Sequence, residues 1–151
     1  MTQQKRTLVA ATLAAFLFMV APARAAPDDD ATTRNYVLTS DKAKRFATYM
    51  TTLKRDGAQD AALRAELSHQ SANNDTPLRE SMKTKPVMLG YARRAGLTEQ
   101  DACFIPIVIM YAGMAVEMPP AQRKTSLVSP ASLEYVRQHK AELTALMKSL
   151  Q

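Results

Sequence analysis

The sequence predicts an all-α protein, an irregular or orthogonal bundle of four to six helices around a central apolar helix at about residues 99–118. Apolar residues recur at three- and four-residue steps in several segments, and helix-capping residues, prolines and glycines bound those segments. No run alternates apolar and polar residues as a half-buried strand does. The 151 residues include a single cysteine, so no disulfide within the chain can form and packing must hold the fold.

The first 25 residues have the three parts of a secretory signal: a short basic start, an apolar segment from Leu8 to Val20, and small residues before the expected cut. We expect cleavage between Ala25 and Ala26, with a cut after Ala23 as the alternative. A membrane anchor is disfavoured because the apolar segment is well short of the ~20 residues that span a bilayer. The protein is therefore expected to be exported, either to a periplasm or to the medium.

Removal of the signal changes the charge. It takes away Lys5, Arg6 and Arg24, so the whole-chain net charge of +6 becomes +3, from 17 basic and 14 acidic residues. The remaining charges are scattered and are not interleaved with aromatic residues, as is typical of solvated helix faces. No nucleic-acid partner is expected, because no recognisable binding motif is present.

The mature chain is predicted to have a mobile N-terminal arm, residues 26–38, and one helical domain, residues 39–151. The arm, which begins APDDDATTRNY, lacks apolar periodicity. The first helix should start at Thr39 or Ser40 and end at Gly57, with that glycine in the left-handed conformation. A weaker helix follows in DAALRAELSHQ, and a third starts at Pro77, is interrupted or restarted at Pro86 and ends at Gly96.

The stretch ACFIPIVIMYAGMAV, residues 102–116, is uncharged and predicts the central helix. Thr98 and Asp101 form a capping box before it, and Pro119 ends it. We expect a kink near Pro106, because a proline inside a helix removes one backbone hydrogen bond. The β-branched run at 105–109 leaves a buried strand as the alternative. No membrane span is expected in the mature chain, because this uncharged stretch is shorter than ~20 residues.

The last helix should run from Ser129 and Pro130 to the end of the chain, with an apolar stripe facing the core. His139 lies on this stripe, between Val136 and Leu143. A histidine there is expected to be a hydrogen-bonded core or interface residue, and a pH-sensitive partner contact is the alternative.

The sequence offers little for catalysis, and no catalytic residue is predicted. His69 and His139 are the only histidines, and neither lies in a triad motif. Glu66 and His69 have the spacing of a di-iron carboxylate pair, but no second pair exists, so both are expected to be polar surface residues. A catalytic site assembled only by the fold stays open.

Sulfur side chains provide the only candidate metal site. On a helix, Cys103, Met110 and Met114 lie along one face, and thiolate and thioether sulfurs are the ligands that select Cu(I). Methionine also fills irregular cores, and the other faces of this helix are apolar too. We therefore expect a buried core helix and no cofactor, with Cu(I) at these three residues as the alternative.

Taken together, the sequence predicts an exported, non-enzymatic helical protein that binds another protein or an envelope component. A periplasmic soft-metal (copper) handling protein is the first alternative, and a small enzyme is the second. The identity of the partner is unknown, and homo-oligomerisation stays open.

Overall fold

A computed structural model describes residues 27–68, 78–119 and 127–150 of the chain. The all-α prediction is confirmed, since every regular element within these ranges is a helix. The eight helices are α1 (Pro27–Asn35), α2 (Ser40–Asp56), α3 (Ala61–Ser68), α4 (Leu78–Lys83), α5 (Pro86–Arg94), α6 (Glu99–Glu117), α7 (Pro130–Gln138) and α8 (Lys140–Leu150).

Helix α6 is the central helix, as the sequence predicts. It contacts α7 most extensively and also packs against α1, α2, α4 and α5. Phe104, Ile105 and Val108 have no exposed surface. The β-branched residues adopt the helix because its apolar sides are covered by other helices, and this burial outweighs their local preference for strands.

The start of α6 has the predicted capping box. The Thr98 hydroxyl accepts a hydrogen bond from the Asp101 backbone N–H at 3.1 Å, and the Asp101 carboxylate accepts one from the Thr98 N–H, also at 3.1 Å. Two of the N–H groups that lack a partner at a helix start are thereby satisfied. The helix then continues without interruption through Pro106 to Glu117.

The two helix-ending glycines behave differently. Gly96 has the expected left-handed conformation, with φ of 77°, and the Leu97 N–H bonds back to the Ala92 carbonyl at 2.9 Å. The left-handed prediction for Gly57 is wrong, because its φ is −59°. A Cβ atom there would lie 3.2 Å from the side chain of Leu67, so this glycine instead permits the close approach of α3 to the end of α2.

The expected N-terminal arm, residues 26–38, differs from the prediction. Residues Pro27–Asn35 form α1, which contacts α6, and the extended segment that follows enters the core. Tyr36 and Leu38 are almost completely buried. The sequence does not predict this burial, because α1 has no regular apolar stripe. Contacts with residues far away in the sequence hold the segment in place.

The C-terminal region forms two helices where the sequence predicts one. The chain leaves the helical conformation at His139, with φ of −107° and ψ of 20°. Helix α7 packs against α6, whereas α8 contacts α2, and Leu143 of α8 is buried. This break and the additional helix α1 raise the number of described helices above the predicted four to six.

Several expectations concern residues outside the described ranges. They are the signal segment 1–25, the cut between Ala25 and Ala26, and the position of His69. These expectations stay predictions.

Candidate functional site

The main candidate is an apolar surface on the outer side of α6. Pro106, Met110, Gly113 and Met114 follow one another at four-, three- and one-residue steps, so they share one side of the helix. Each is partly or fully accessible to solvent, and Met114 is 50% exposed. We call these four residues the methionine face. It carries no charged or hydrogen-bonding side chain over its whole length.

The methionine face is the second part of a longer apolar stripe along α6, and the first part of that stripe is buried. Cys103 and Ile107, one turn earlier on the same side, are only 4% and 3% exposed. Helix α4 is one of the helices that pack against α6. Towards the C-terminal end the cover stops, and a Cβ atom built on Gly113 would meet no atom within 4 Å. This side of the helix is thus buried at Cys103 and Ile107 and partly exposed from Met110 to Met114, while Ala112 and Ala115 on its other sides stay buried.

Two contacts mark the borders of the methionine face. On one side Tyr111 lies near α1, and its pKa is raised by burial and further by the charge of Asp30. At the C-terminal end, Glu117 forms an ion pair with Lys140 at the start of α8. The charges therefore lie at the edge and leave the centre apolar.

Such a surface is suited to contact with apolar groups of another molecule. Large exposed apolar patches on soluble proteins mark interaction sites, and methionine side chains adapt their shape to different partners because they are unbranched and flexible. Gly113 lies between the two methionines and leaves room for a side chain from outside. The arrangement offers binding and no group that could transfer a proton.

The three sulfur residues predicted as a candidate copper site are in different environments. Cys103 is buried, Met110 is partly buried and Met114 is half exposed. The Cys103 thiol lies close enough to the Tyr49 hydroxyl to affect the latter electrostatically, within the interior of the bundle. The expectation that this whole helix is buried is wrong for one side of its second half, at Met114, while Ala112 and Ala115 are buried. Within the described ranges, no group of three or more His, Cys, Asp or Glu residues could hold a metal ion.

His139, the predicted pH-sensitive residue, lies at the junction of α7 and α8 and not in the core. Its ring stacks on Tyr135 with the centroids 4.3 Å apart, and Nδ1 lies 3.3 Å from a carboxylate oxygen of Glu142. About a third of the side chain is exposed. Both contacts are with residues within about one helical turn of His139. His139 therefore contacts its own neighbours at the break between α7 and α8.

Glu66, expected as a surface residue, has a structural role. Its two carboxylate oxygens accept hydrogen bonds from the backbone N–H groups of Val87 and Met88, at 2.9 and 2.8 Å. These groups belong to the first turn of α5, so a side chain of α3 caps a helix about twenty residues further along the chain. A carboxylate also suits the positive end of a helix dipole. Both oxygens are occupied, which removes Glu66 from the candidates for acid–base chemistry.

Asp101 is a second acid whose carboxylate is occupied by contacts that hold the fold together. It accepts hydrogen bonds from the Tyr36 hydroxyl at 2.6 Å and from the Thr98 hydroxyl at 2.7 Å, and Lys42 lies 3.2 Å away. Burial alone would raise its pKa, but the hydrogen bonds from Tyr36, Thr98 and Lys42 together outweigh burial and lower the pKa to about 2. A carboxylate with so many donors is a poor base, and its role is to join α6 to the segment before α2.

This network predicts a stability loss in acid. The pKa of Asp101 falls from 3.8 to about 2 on folding, so its contribution is complete above pH 4 and is lost as the pH falls from about 4 to about 2. Asp101→Asn should be less stable than the wild type by about 2 kcal/mol near neutral pH, and the difference should shrink as the pH falls from about 4 to about 2. Urea unfolding at several pH values measures it. A difference that does not change with pH would contradict the assignment.

Two serines that the sequence analysis did not single out fix the same segment. The hydroxyls of Ser129 and Ser132 donate to the Tyr36 carbonyl at 2.7 and 2.8 Å, and the Leu38 N–H donates to Ser132 at 2.8 Å. Ser129 was predicted only as the cap of α7, and that cap is present. The pattern Ser-x-x-Ser gives no sign of a partner more than 90 residues away.

An open concavity of about 550 Å³ lies along α8 and the end of α7. Arg137 already pairs with Glu134, and Lys140 pairs with Glu117, so most of its positive charge is neutralised. It therefore has little preference for an anionic ligand. The lining residues are Arg137, Gln138, Lys140, Ala141, Thr144, Ala145 and Lys148.

Comparison with protein-family models, curated proteins and solved structures gives no match. Of the described helices, α6 is long and apolar enough to cross a membrane, but 56% of its most apolar window is buried inside the protein. A core helix of a soluble protein has the same properties.

Proposed function

We propose that this chain is an exported helical protein without enzymatic activity, and that its methionine face binds another protein or an envelope component. One observation carries the proposal: α6, the most apolar of the described helices, has an apolar side that is partly exposed at Met110 and Gly113 and half exposed at Met114. Exposing this surface to water is unfavourable by ~25 cal/mol per Å² of apolar area, and a partner that covers it would remove that cost.

The polar groups are consistent with a binding role. Asp101, which is buried, and Glu66, which is partly buried, are occupied by hydrogen bonds that hold the fold together. Export of the mature chain remains part of the proposal, on the basis of the signal-like first 25 residues. Copper handling gains no specific support, since Cys103 is buried away from the exposed Met114.

The proposal can be tested with the chain exported under its own N-terminal segment and purified from the periplasm. Its intact mass would reveal whether residues 1–25 have been removed. The purified protein is immobilised and exposed to a solubilised envelope fraction. We expect the wild type to retain a specific component and Met114→Arg to retain it about tenfold less strongly, because a charge would have to enter the apolar contact.

Gln100→Arg is the matched control. It places the same charge on an exposed position of the same helix, outside the methionine face. It should retain the component as well as the wild type does. Circular dichroism and urea unfolding of all three proteins establish that neither variant unfolds. Equal retention by Met114→Arg and Gln100→Arg, or no retained component at all, would refute the proposal.

A further inference from the structure

We propose that Met114 is a site of reversible methionine oxidation, which converts the methionine face from an apolar to a polar surface. The inference rests on the proposed function, since it assigns a regulation to the same face. The oxidant is hydrogen peroxide or a related small peroxide. Methionine sulfoxide can be returned to methionine by reductases, so the change is reversible.

The exposure of the methionines supports a selective reaction. Met114 is 50% exposed, whereas Met50 and Met88 are 2% and 0% exposed. Gly113 beside it leaves open space, so no neighbouring side chain shields the thioether on that side. A peroxide must approach the sulfur directly, and in the folded protein it can reach Met114 far more easily than the two core methionines. Met110 is partly covered and should react at an intermediate rate.

The chemistry needs no other residue. A lone pair of the Met114 sulfur attacks one oxygen of hydrogen peroxide, so a sulfur–oxygen bond forms as the oxygen–oxygen bond breaks. The departing hydroxide takes up the proton of the transferred oxygen and becomes water. The thioether loses two electrons and the peroxide gains them. Cys103, a further oxidisable sulfur on this side of α6, is buried and should react slowly in the folded state.

Oxidation should change the surface without unfolding the protein. Met114 is half exposed and is not part of the buried core cluster, so the added oxygen can face solvent without entering the core. The sulfoxide oxygen is a strong hydrogen-bond acceptor, and a partner that covers it would have to remove its water. Binding of apolar groups to the methionine face should therefore weaken, while the helices remain intact.

The test treats the folded protein with hydrogen peroxide and follows each methionine by peptide mass spectrometry. We expect Met114 to gain one oxygen at least about tenfold faster than Met50 and Met88. Binding of the fluorescent dye anilinonaphthalene sulfonate should fall in parallel, with unchanged circular dichroism. In Met114→Leu the fast reaction should be absent and the dye signal should stay constant over the same period.

Equal oxidation rates for Met114 and the core methionines would overturn the inference, as would unchanged dye binding after Met114 is fully oxidised. The envelope-retention assay separates the two proposals. If a component is retained equally before and after oxidation, regulation is refuted while the proposed function stands. If no component is retained by the untreated protein, the proposed function fails, and selective oxidation with loss of dye binding still supports Met114 as the modified site.

Discussion

Phe104→Ala should lower the free energy of unfolding by about 3–5 kcal/mol, the largest effect we expect from a single substitution. Phe104 has no exposed surface, lies in the first half of the central helix, and stacks on Tyr36 with the ring centroids 6.4 Å apart. Truncation removes the apolar contacts and leaves a cavity that the surrounding helices cannot fill completely. Urea unfolding followed by circular dichroism measures the change.

Met114→Ala is the matched control for this prediction, because it truncates a large apolar side chain on the same helix. Met114 is half exposed, so its loss should cost less than about 1 kcal/mol. A similar cost for both variants would mean that the first half of α6 is not the centre of the core.

Glu66→Ala should be the second large effect, with a loss of about 2–3 kcal/mol. The substitution leaves the Val87 and Met88 N–H groups without the carboxylate that accepts from both, and hydrogen bonds to charged groups contribute about 1.5–3 kcal/mol each. Two such bonds would together contribute about 3–6 kcal/mol, and the expected loss lies at or below the low end of that range because Glu66 is partly exposed. Glu66→Gln should fall between alanine and the wild type, since an amide offers one acceptor oxygen where the carboxylate offers two.

Glu80→Ala provides the comparison, because Glu80 is an exposed acid whose ion pair with Lys83 is at the surface. It should change stability by no more than about 0.5 kcal/mol. Hydrogen exchange adds a local measurement, and the amides of Val87 and Met88 should exchange faster in Glu66→Ala alone. Equal stability of the two variants would refute the capping role.

The features that the sequence predicted correctly are mostly local. Thr39, Thr98 and Ser129 cap the helices that follow them, and Gly96 ends α5 in the left-handed conformation. Each of these helix ends depends on residues within about one helical turn, so all the residues involved lie close together in the sequence. The central helix was recognisable for a related reason, since a long apolar segment between two caps has few alternatives to a buried helix.

The candidate site was predicted only in part. The spacing of Met110 and Met114 on one side of a helix was evident from the sequence, but the expected burial was wrong for that end. Apolar residues surround the helix, so the composition of α6 does not indicate which side or which half the other helices cover. For the same reason the sequence could not distinguish a binding surface from a core.

Long-range hydrogen bonds were outside the reach of sequence reasoning. Glu66 caps α5 from α3, and Ser129 and Ser132 hold the Tyr36 carbonyl from the other end of the chain. The sequence around a glutamate or a serine is the same whether its side chain faces water or bonds to a distant backbone group. Their partners are defined only after the helices have packed.

The sequence by itself determined the helical class, the capped boundaries and the central position of α6, because local hydrogen bonding and apolar periodicity specify these directly. The tertiary structure alone decided that the segment before Thr39 joins the core, that the last helix breaks at His139, and that Met114 faces outward. Those outcomes depend on which surfaces the packed helices leave uncovered and on hydrogen bonds between distant residues, and neither is encoded in a local pattern.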